Sequence, residues 1–230
     1  MAISDTQNTG TRHAGPNPGT LAIVFTVLFF AGLLSMTLFT GGAYPTPFKS
    51  SEEIAAFFRS YPFQVSLGAF FQFGSAIPLG LYTATMTSRL RFHGVRSAGV
   101  DIALFGGFSA SLLTLVWTLI QWTLAQPAVT SDGTLVRALF SLIFALGGPG
   151  YSVPLGLLIA GISVPAYFFR LLPRWVCYFG FVLAAIGELS SLGLVFPQVF
   201  FLIPLTRFPG FLWLIAAGYT LPSRTRASSN

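Results

Sequence analysis

Two acidic residues stand inside long apolar segments, where a charge is costly. Asp101 opens such a segment, and a carboxylate there favours a helix N-terminus and can reach water. Glu188 follows Arg174 by 14 residues, which places it ~21 Å along a helix at about 1.5 Å per residue. Arg207 enters the next apolar segment from the other direction and reaches a similar depth, ~10–12 Å below the opposite surface. A carboxylate and a guanidinium at one depth on consecutive antiparallel helices predict an ion pair, since each alone would cost ~2.5–3.5 kcal/mol at the bilayer centre.

The predicted Glu188–Arg207 pair has two interpretations. It either only fixes the packing of two helices or also lines a path for a ligand or an ion. Three other polar residues, Gln72, Gln121 and Tyr151, are expected at a similar depth. These five residues are the candidate ligand-binding residues of the chain.

A glycine- and proline-rich sequence, Gly147-Gly148-Pro149-Gly150, interrupts the longest apolar segment. A broken helix exposes backbone groups, which are tolerated inside a membrane only where protein or a water-filled cavity satisfies them. Such a break lines a binding site in some transporters, and in other proteins it is a kink relaxed by packing. Both interpretations remain open.

The sequence contains few residues or motifs that are typical of catalytic or cofactor-binding sites. His13 precedes the first apolar segment and His93 lies in a loop, so no apolar segment supplies a histidine for haem or zinc. There is a single cysteine, and no metal site or cofactor is predicted. No G-x-S-x-G elbow, aspartate-rich prenyl-phosphate motif or P-loop is present. An enzyme would have to rest on Glu188, Arg207 or Asp101 alone, which favours a role without an enzymatic reaction.

The composition places these residues in a bilayer. Of 230 residues, 8% are charged, 53% hydrophobic and 16% aromatic, whereas an ordinary soluble domain has roughly 25% charged residues. This excludes a soluble enzyme, a secreted disulfide scaffold and a disordered chain. The formal charge of +6 could suggest nucleic acid, but the arginines stand in twos and threes between apolar runs. Membrane topology explains that pattern better, so the lipid bilayer is the expected partner and nucleic acid is not.

Six apolar segments are long enough to cross ~30 Å of hydrocarbon as helices. They are residues 21–40, 63–86, 100–122, 134–169, 174–195 and 200–221. The fourth has 36 residues, too many for one straight span, yet it lacks the polar hairpin that two spans would need. The predicted fold is therefore an all-α polytopic membrane helix bundle of six transmembrane helices with a broken or kinked fourth span.

A short helix is predicted between the first two spans. Ser50 and Glu53 have the spacing of a capping box. Ile54, Phe57, Phe58 and Tyr61 then recur at helical spacing. An amphipathic helix of this kind is expected to lie in the membrane interface.

The transmembrane domain, residues 21–222, is flanked by two predicted tails, a flexible one at 1–20 and a C-terminal one at 223–230. A signal peptide cut near Ala43 is the alternative to a membrane anchor at 21–40. The apolar region of a signal peptide usually has ~7–15 residues and lies closer to a basic start, which favours the anchor.

The basic residues predict the orientation. Eight of the twelve fall in segments on one side: Arg12, Arg89, Arg91, Arg96, Arg170, Arg174, Arg224 and Arg226. The other side has Lys49 and Arg59, with Arg137 and Arg207 inside helices near it. The positive-inside rule therefore predicts that both termini are cytoplasmic.

Small residues recur three or four positions apart in the third and fifth spans. They are Gly99, Ala103, Gly106 and Ala110, and Gly180, Ala184 and Gly187. Such faces let helices approach closely. Packing within the bundle is the main expectation, and a homo-oligomer through these faces is the alternative.

Five short sequences carry a resemblance to a protein family. They are Phe73-Gly74-Ser75-Ala76-Ile77-Pro78-Leu79-Gly80, Ser88-Arg89-Leu90-Arg91-Phe92, Phe105-Gly106-Gly107-Phe108, Gly187-Glu188-Leu189-Ser190 and Leu205-Thr206-Arg207-Phe208-Pro209-Gly210. In them, and over roughly residues 20–222, the chain resembles uncharacterised bacterial six-span integral membrane proteins, a domain-of-unknown-function family. The resemblance implies a helical fold in the bacterial cytoplasmic (inner) membrane and brings no catalytic residues.

The sequence supports three functions in descending order. The leading one is to bind or move a small ligand or ion through an intramembrane polar site. The alternative is a structural or accessory membrane subunit without its own activity. A membrane-embedded enzyme comes third.

Overall fold

The computed structural model describes residues 11–41 and 44–224. These residues form nine α-helices: α1 (Pro18–Ser35), α2 (Ser51–Ser60), α3 (Pro62–Phe92), α4 (Ala98–Leu124), α5 (Pro127–Thr130), α6 (Gly133–Gly147), α7 (Pro149–Phe168), α8 (Arg174–Leu189) and α9 (Leu202–Thr220). Two short 3-10 helices, Ser190–Leu194 and Pro197–Val199, connect α8 to α9. The all-α prediction is confirmed.

Six helical segments of the described chain are long and apolar enough to cross a membrane, as predicted. They are Pro18–Ser35, Pro62–Phe92, Ala98–Leu124, Gly133–Phe168, Arg174–Leu194 and Pro197–Thr220. Large apolar side chains also cover the outside of the bundle, among them Phe70, Phe105, Leu112, Val182 and Leu212. Since an extensive apolar exterior is unfavourable in water, the spans imply contact with a lipid bilayer.

The first span begins earlier and ends earlier than expected. Asn17 caps α1, because its side-chain oxygen accepts hydrogen bonds from the backbone N–H groups of Gly19 and Thr20. Pro18 follows at the first helical position, where the missing N–H group of a proline costs no hydrogen bond, because the N–H there has no partner within the helix. The helix ends at Ser35 and turns follow it. Ala43, the alternative cleavage site, lies outside the described residues.

The fourth span is broken, as predicted, between α6 and α7. Gly148 links the two helices with φ −85° and ψ −107°, outside the helical region. Pro149 begins α7 and has no N–H group to donate to the carbonyl of Ala145 four residues earlier. The helical hydrogen-bond ladder therefore stops at this point.

The six spans pack into one bundle with the fourth span in the middle. Helix α1 packs against α3 and α9, α4 packs against α3 and α7, and α8 packs against α7 and α9. A single cluster of buried apolar side chains runs through these contacts. The bundle thus brings together residues from helices that are far apart in the sequence.

The small-residue faces pack inside the protomer. A methyl group on Gly106 would lie 2.6 Å from the backbone oxygen of Pro154, and one on Gly161 would lie 2.4 Å from the backbone nitrogen of Ala103. Gly187 of α8 meets the backbone of α7 in the same way. These faces thus serve packing against α7, and the homo-oligomer through small-residue faces stays a prediction.

The predicted short helix is confirmed as α2. Ser50 and Glu53 form the reciprocal capping box. The buried face of α2, formed by Ile54, Ala55 and Phe58, belongs to a cluster with residues of α6 such as Phe140. Because protein covers this face, it is not available to lipid, and the placement of α2 in the membrane interface stays a prediction.

The described parts of the two predicted tails contact each other. Arg12 and Arg224 form an antiparallel bridge, and the backbone N–H of His13 donates to the oxygen of Ser223 at 2.8 Å. We call this end of the bundle the termini end and the other the α2 end. Six spans place both termini on the same side of a membrane, which agrees with this contact. The assignment of the termini end to the cytoplasm stays a prediction. Residues 1–10 and 225–230 of the predicted tails lie outside the described residues.

Candidate functional site

Arg207 is held by aromatic rings and a backbone carbonyl. Its guanidinium carbon lies 5.0 Å from the ring centroid of Tyr151, 5.5 Å from that of Trp117 and 5.6 Å from that of Phe29. One of its N–H groups donates to the backbone oxygen of Gly147. A cation over a ring face gains about 0.5–2 kcal/mol. Ring faces and a carbonyl therefore take the place of a carboxylate.

The break in the fourth span provides that carbonyl. In a continuous helix the oxygen of Gly147 would accept from the N–H of Tyr151, four residues later. Here the N–H groups of Tyr151 and Ser152 both donate to the oxygen of Gly148, at 3.2 and 3.0 Å. The C-terminus of a helix is also the negative end of its dipole. The end of α6 thus presents a free acceptor to Arg207.

The predicted ion pair between Glu188 and Arg207 is wrong. Among the residues that the structure describes, the ion pairs are Lys49–Glu53, Glu52–Arg59 and Arg91–Asp101. Glu188 is exposed on α8, and its carboxylate makes no hydrogen bond to a described residue. The preceding residue, Gly187, faces α7. Since neighbouring residues of a helix point ~100° apart, Glu188 is turned out of that contact.

A cavity of about 190 Å³ lies beside Arg207 in the half of the bundle nearer the α2 end. Helices α1, α3, α4, α6 and α9 all contribute to its wall. Its apolar lining includes Phe29, Leu33, Trp117, Ile143, Phe144 and Phe208, and its polar lining consists of Tyr44, Gln72, Gln121 and Arg207. Gly147 and Gly148 line it as well, so the helix break forms part of the wall.

The polar side chains leave hydrogen-bonding groups free. Gln72 is 4% exposed, and its amide makes no hydrogen bond to any described residue. The Nε of Arg207 is buried and has no partner in the described chain. Gln121 donates to the Sδ of Met36 at 3.1 Å and accepts from the hydroxyl of Tyr44 at 3.5 Å, the limit of a hydrogen bond.

The cavity is lined by a positive charge and, among the described residues, by no negative one. Burial raises the pKa of Tyr44 above its ordinary value, so that its hydroxyl stays a neutral donor at physiological pH. None of the lining residues, all of which belong to the described chain, is acidic. The site therefore offers one positive charge and N–H donors, which is the chemistry that holds a carboxylate or another anion.

The structure brings most of the predicted site residues together. Gln72, Gln121 and Arg207 line the cavity, and the ring of Tyr151 packs against the guanidinium. The hydroxyl of Tyr151 is buried without a partner among the described residues. Glu188 lies outside this site.

Most of the cavity lining was not predicted from the sequence, including Phe29, Trp117 and Tyr44. Phe29 and Trp117 carry no signal that separates them from the other aromatic residues of apolar segments. Tyr44 lies in the segment between α1 and α2, where periodicity cannot indicate which way a side chain points. Their role follows only from the way that the helices pack.

The chain matches no protein-family model, no curated protein and no solved structure. The resemblance to uncharacterised bacterial six-span proteins therefore stays a prediction. What the fold establishes by itself is an all-α polytopic bundle with six candidate membrane spans and one bent helix.

Proposed function

We propose that this protein binds a small organic anion in the cavity beside Arg207. The observation that carries the proposal is a guanidinium with an unpartnered N–H group beside a cavity that no described acidic residue lines. Arg207 is half-buried and has no carboxylate partner in the described chain, so an anion from outside the chain would be its most favourable partner.

The shape and lining of the cavity support a small ligand with an apolar part. A volume of about 190 Å³ is below the ~300–1,000 Å³ of pockets for drug-sized molecules. Phe29, Ile143 and Phe208 would pack against an apolar body, and Gln72 would donate its amide N–H to the charged group. A short-chain carboxylate combines these features.

The helix break supports movement of the ligand as well as its binding. Gly148 lies in the cavity wall and joins α6 to α7 without a continuous hydrogen-bond ladder. A hinge motion there would change the size of the cavity. Breaks of this kind line the substrate sites of several membrane transporters.

A specific observation also favours the alternative of a structural subunit. Arg207 already has the oxygen of Gly147 and three ring faces as partners. In that case the arginine serves only to hold the broken fourth span against α9. The two functions differ in whether an added anion stabilises the protein.

The test is thermal unfolding of the purified chain with butyrate, with neutral butyramide and with butylammonium as matched compounds. We expect butyrate alone to raise the melting temperature. Gln72→Leu should weaken the apparent affinity by roughly tenfold, the effect of losing one hydrogen bond to a charged group. Gln64→Leu is the control, because Gln64 is on the same helix but does not line the cavity.

Two results would contradict anion binding. One is equal stabilisation by butyrate and butyramide. The other is a butyrate effect that persists in both Gln72→Leu and Arg207→Lys, the latter keeping the charge but losing the planar fork. A wild type that responds to none of the compounds would favour the structural subunit.

A further inference from the structure

A second cavity, of about 310 Å³, lies at the termini end of the bundle. We call it the termini pocket and define it by Arg12, His13, Asn17, Arg89 and residues 218–223, which line it. It is separate from the cavity beside Arg207 and shares no lining residue with it. None of its lining residues, all described, is acidic.

Arg89 is the buried cation of this pocket. It is only 6% exposed although it stands in the last turn of α3. Its two terminal nitrogens donate to the oxygens of Leu221 and Pro16 at 3.3 and 3.4 Å, longer than the ~2.7–2.9 Å of a strong charge-assisted bond. Its Nε is buried and has no partner among the described residues. The guanidinium is thus held in place but only weakly satisfied.

His13 adds a second group that lacks a partner. Its Nε2 lies 3.0 Å from the hydroxyl oxygen of Ser88, while its Nδ1 is buried without a partner in the described chain. Burial lowers the pKa of His13, and the positive charges of Arg89 and His93 lower it further. The described acidic residue at this end, Asp101, pairs with Arg91 outside the pocket. The pocket therefore holds the guanidinium groups of Arg12 and Arg89, which repel one another, beside a neutral imidazole, and no described lining residue carries a negative charge to offset them.

The position of the pocket indicates which anions reach it. It lies where α1 begins, α3 ends and α9 ends, so it stands at the end of three candidate spans. That is the level of the lipid headgroups when these spans cross a bilayer. Basic pockets between helices at this level are typical binding sites for headgroup phosphates.

We propose that the termini pocket binds a phosphate group, carried by an anionic lipid headgroup or by a soluble phosphate. A phosphate has several acceptor oxygens, enough to take N–H groups from Arg89, Arg12 and His13 together. Binding would connect residues 12–17, the end of α3 and residues 218–223 through one anion. A bound phosphate should consequently raise the thermal stability of the whole chain.

The experiment uses the full chain, purified in a zwitterionic detergent and followed by tryptophan fluorescence on heating. In one arm phosphatidylglycerol is titrated against phosphatidylcholine, and in the other inorganic phosphate is titrated against acetate at matched ionic strength. Stabilisation in the lipid arm identifies a headgroup site, and stabilisation in the phosphate arm alone identifies a soluble phosphate. Either result supports the proposal only if it depends on the residues of the pocket.

The variants establish that dependence. Arg12→Gln and His13→Gln should each weaken the apparent affinity by ~10-fold or more, since each removes a donor to a charged group. Arg96→Gln is the matched control, because it removes the same charge from an exposed residue at the same end that does not line the pocket. These residues are far from the cavity beside Arg207, so failure of butyrate binding leaves this test unaffected.

Three results would overturn the proposal. The first is no stabilisation by either phosphate source. The second is equal stabilisation by acetate and phosphate, which would indicate unspecific anion binding. The third is an effect of phosphate that Arg12→Gln and His13→Gln leave as strong as in the wild type.

Discussion

The guanidinium of Arg207 donates to the backbone oxygen of Gly147, at the point where the fourth span is broken. Each group offsets a defect of the other. The break leaves the oxygen of Gly147 without its helical donor, and the surrounding aromatic rings leave Arg207 without a carboxylate partner among the described residues. The contact therefore joins α9 to the end of α6 and places the charge beside the cavity.

Removal of this contact should destabilise the protein. In Arg207→Gln the oxygen of Gly147 loses the donor that now reaches it, and a buried unsatisfied acceptor costs about 1–3 kcal/mol. We expect a corresponding fall in unfolding free energy, measured by chemical or thermal denaturation in detergent. Arg174→Gln, at an exposed position, is the control and should have little effect. Equal stability of the two variants would show that the contact contributes nothing.

The separation of Glu188 from Arg207 leads to a prediction about a double mutant. Because the residues do not pair, Glu188→Gln should not restore stability to Arg207→Gln. The effects of the two substitutions should add to within ~0.5 kcal/mol, as for independent sites. A double-mutant cycle on the unfolding free energy measures this. A coupling energy well above that value would show that Glu188 and Arg207 do interact, contrary to the structure.

The contact between α4 and α7 should not tolerate a larger residue at Gly106. A methyl group there would lie 2.6 Å from the backbone of Pro154 and of Leu158, and backbone atoms cannot move aside as a side chain can. We expect Gly106→Ala to cost ~1–3 kcal/mol, the usual range for overpacking. Gly133→Ala is the control, because a methyl group at Gly133 meets nothing within 4 Å. Unchanged melting of the Gly106 variant would contradict the close approach.

The start of α2 should depend on pH. The hydrogen bond from Lys49, with those from Ser50, lowers the pKa of Glu53 from 4.5 to about 2. A lowered folded pKa means that the contribution is complete above about pH 4.5 and is lost as the pH falls towards 2. Protonation of Glu53 within this window should weaken the cap, so the amide hydrogens of α2 should then exchange nearly as fast as those of Glu53→Gln at the same pH. Wild type should therefore be better protected than Glu53→Gln at neutral pH, and the difference should vanish near pH 2.

Glu52→Gln provides the comparison for this measurement. It leaves the hydrogen bonds between Ser50 and Glu53 in place, so α2 should keep its protection at neutral pH. Equal protection of wild type and Glu53→Gln at every pH would contradict the role of the cap.

The predicted orientation can be tested with single cysteines. Cys177 is buried and is first replaced by serine. If both termini are cytoplasmic, an impermeant thiol reagent added outside intact cells should label Thr46→Cys and spare Arg96→Cys, two exposed positions at opposite ends of the bundle. The opposite pattern would reverse the orientation.

The sequence by itself determined the helical elements and the position of each residue along them. Hydropathy and length predicted six spans, and the residues Gly147 to Pro149 predicted the break, because a missing N–H group interrupts a helix whatever surrounds it. The capping box at Ser50 and Glu53 was likewise readable, since it depends on residues three apart. The similar depth of Gln72, Gln121 and Arg207 followed from the constant rise per residue, and these residues do line one cavity.

Only the tertiary structure decided which way each helix is rotated and which helices are neighbours. Glu188 and Arg207 were expected to pair because their depths match, yet Glu188 is turned outward while Arg207 lies over the ring of Tyr151. The rotation of α8 is set by Gly187, whose lack of a side chain lets the backbone of α7 approach. Rise along a helix is a local property of the chain, whereas rotation is chosen by contacts with residues far away in the sequence, and no local pattern contains them.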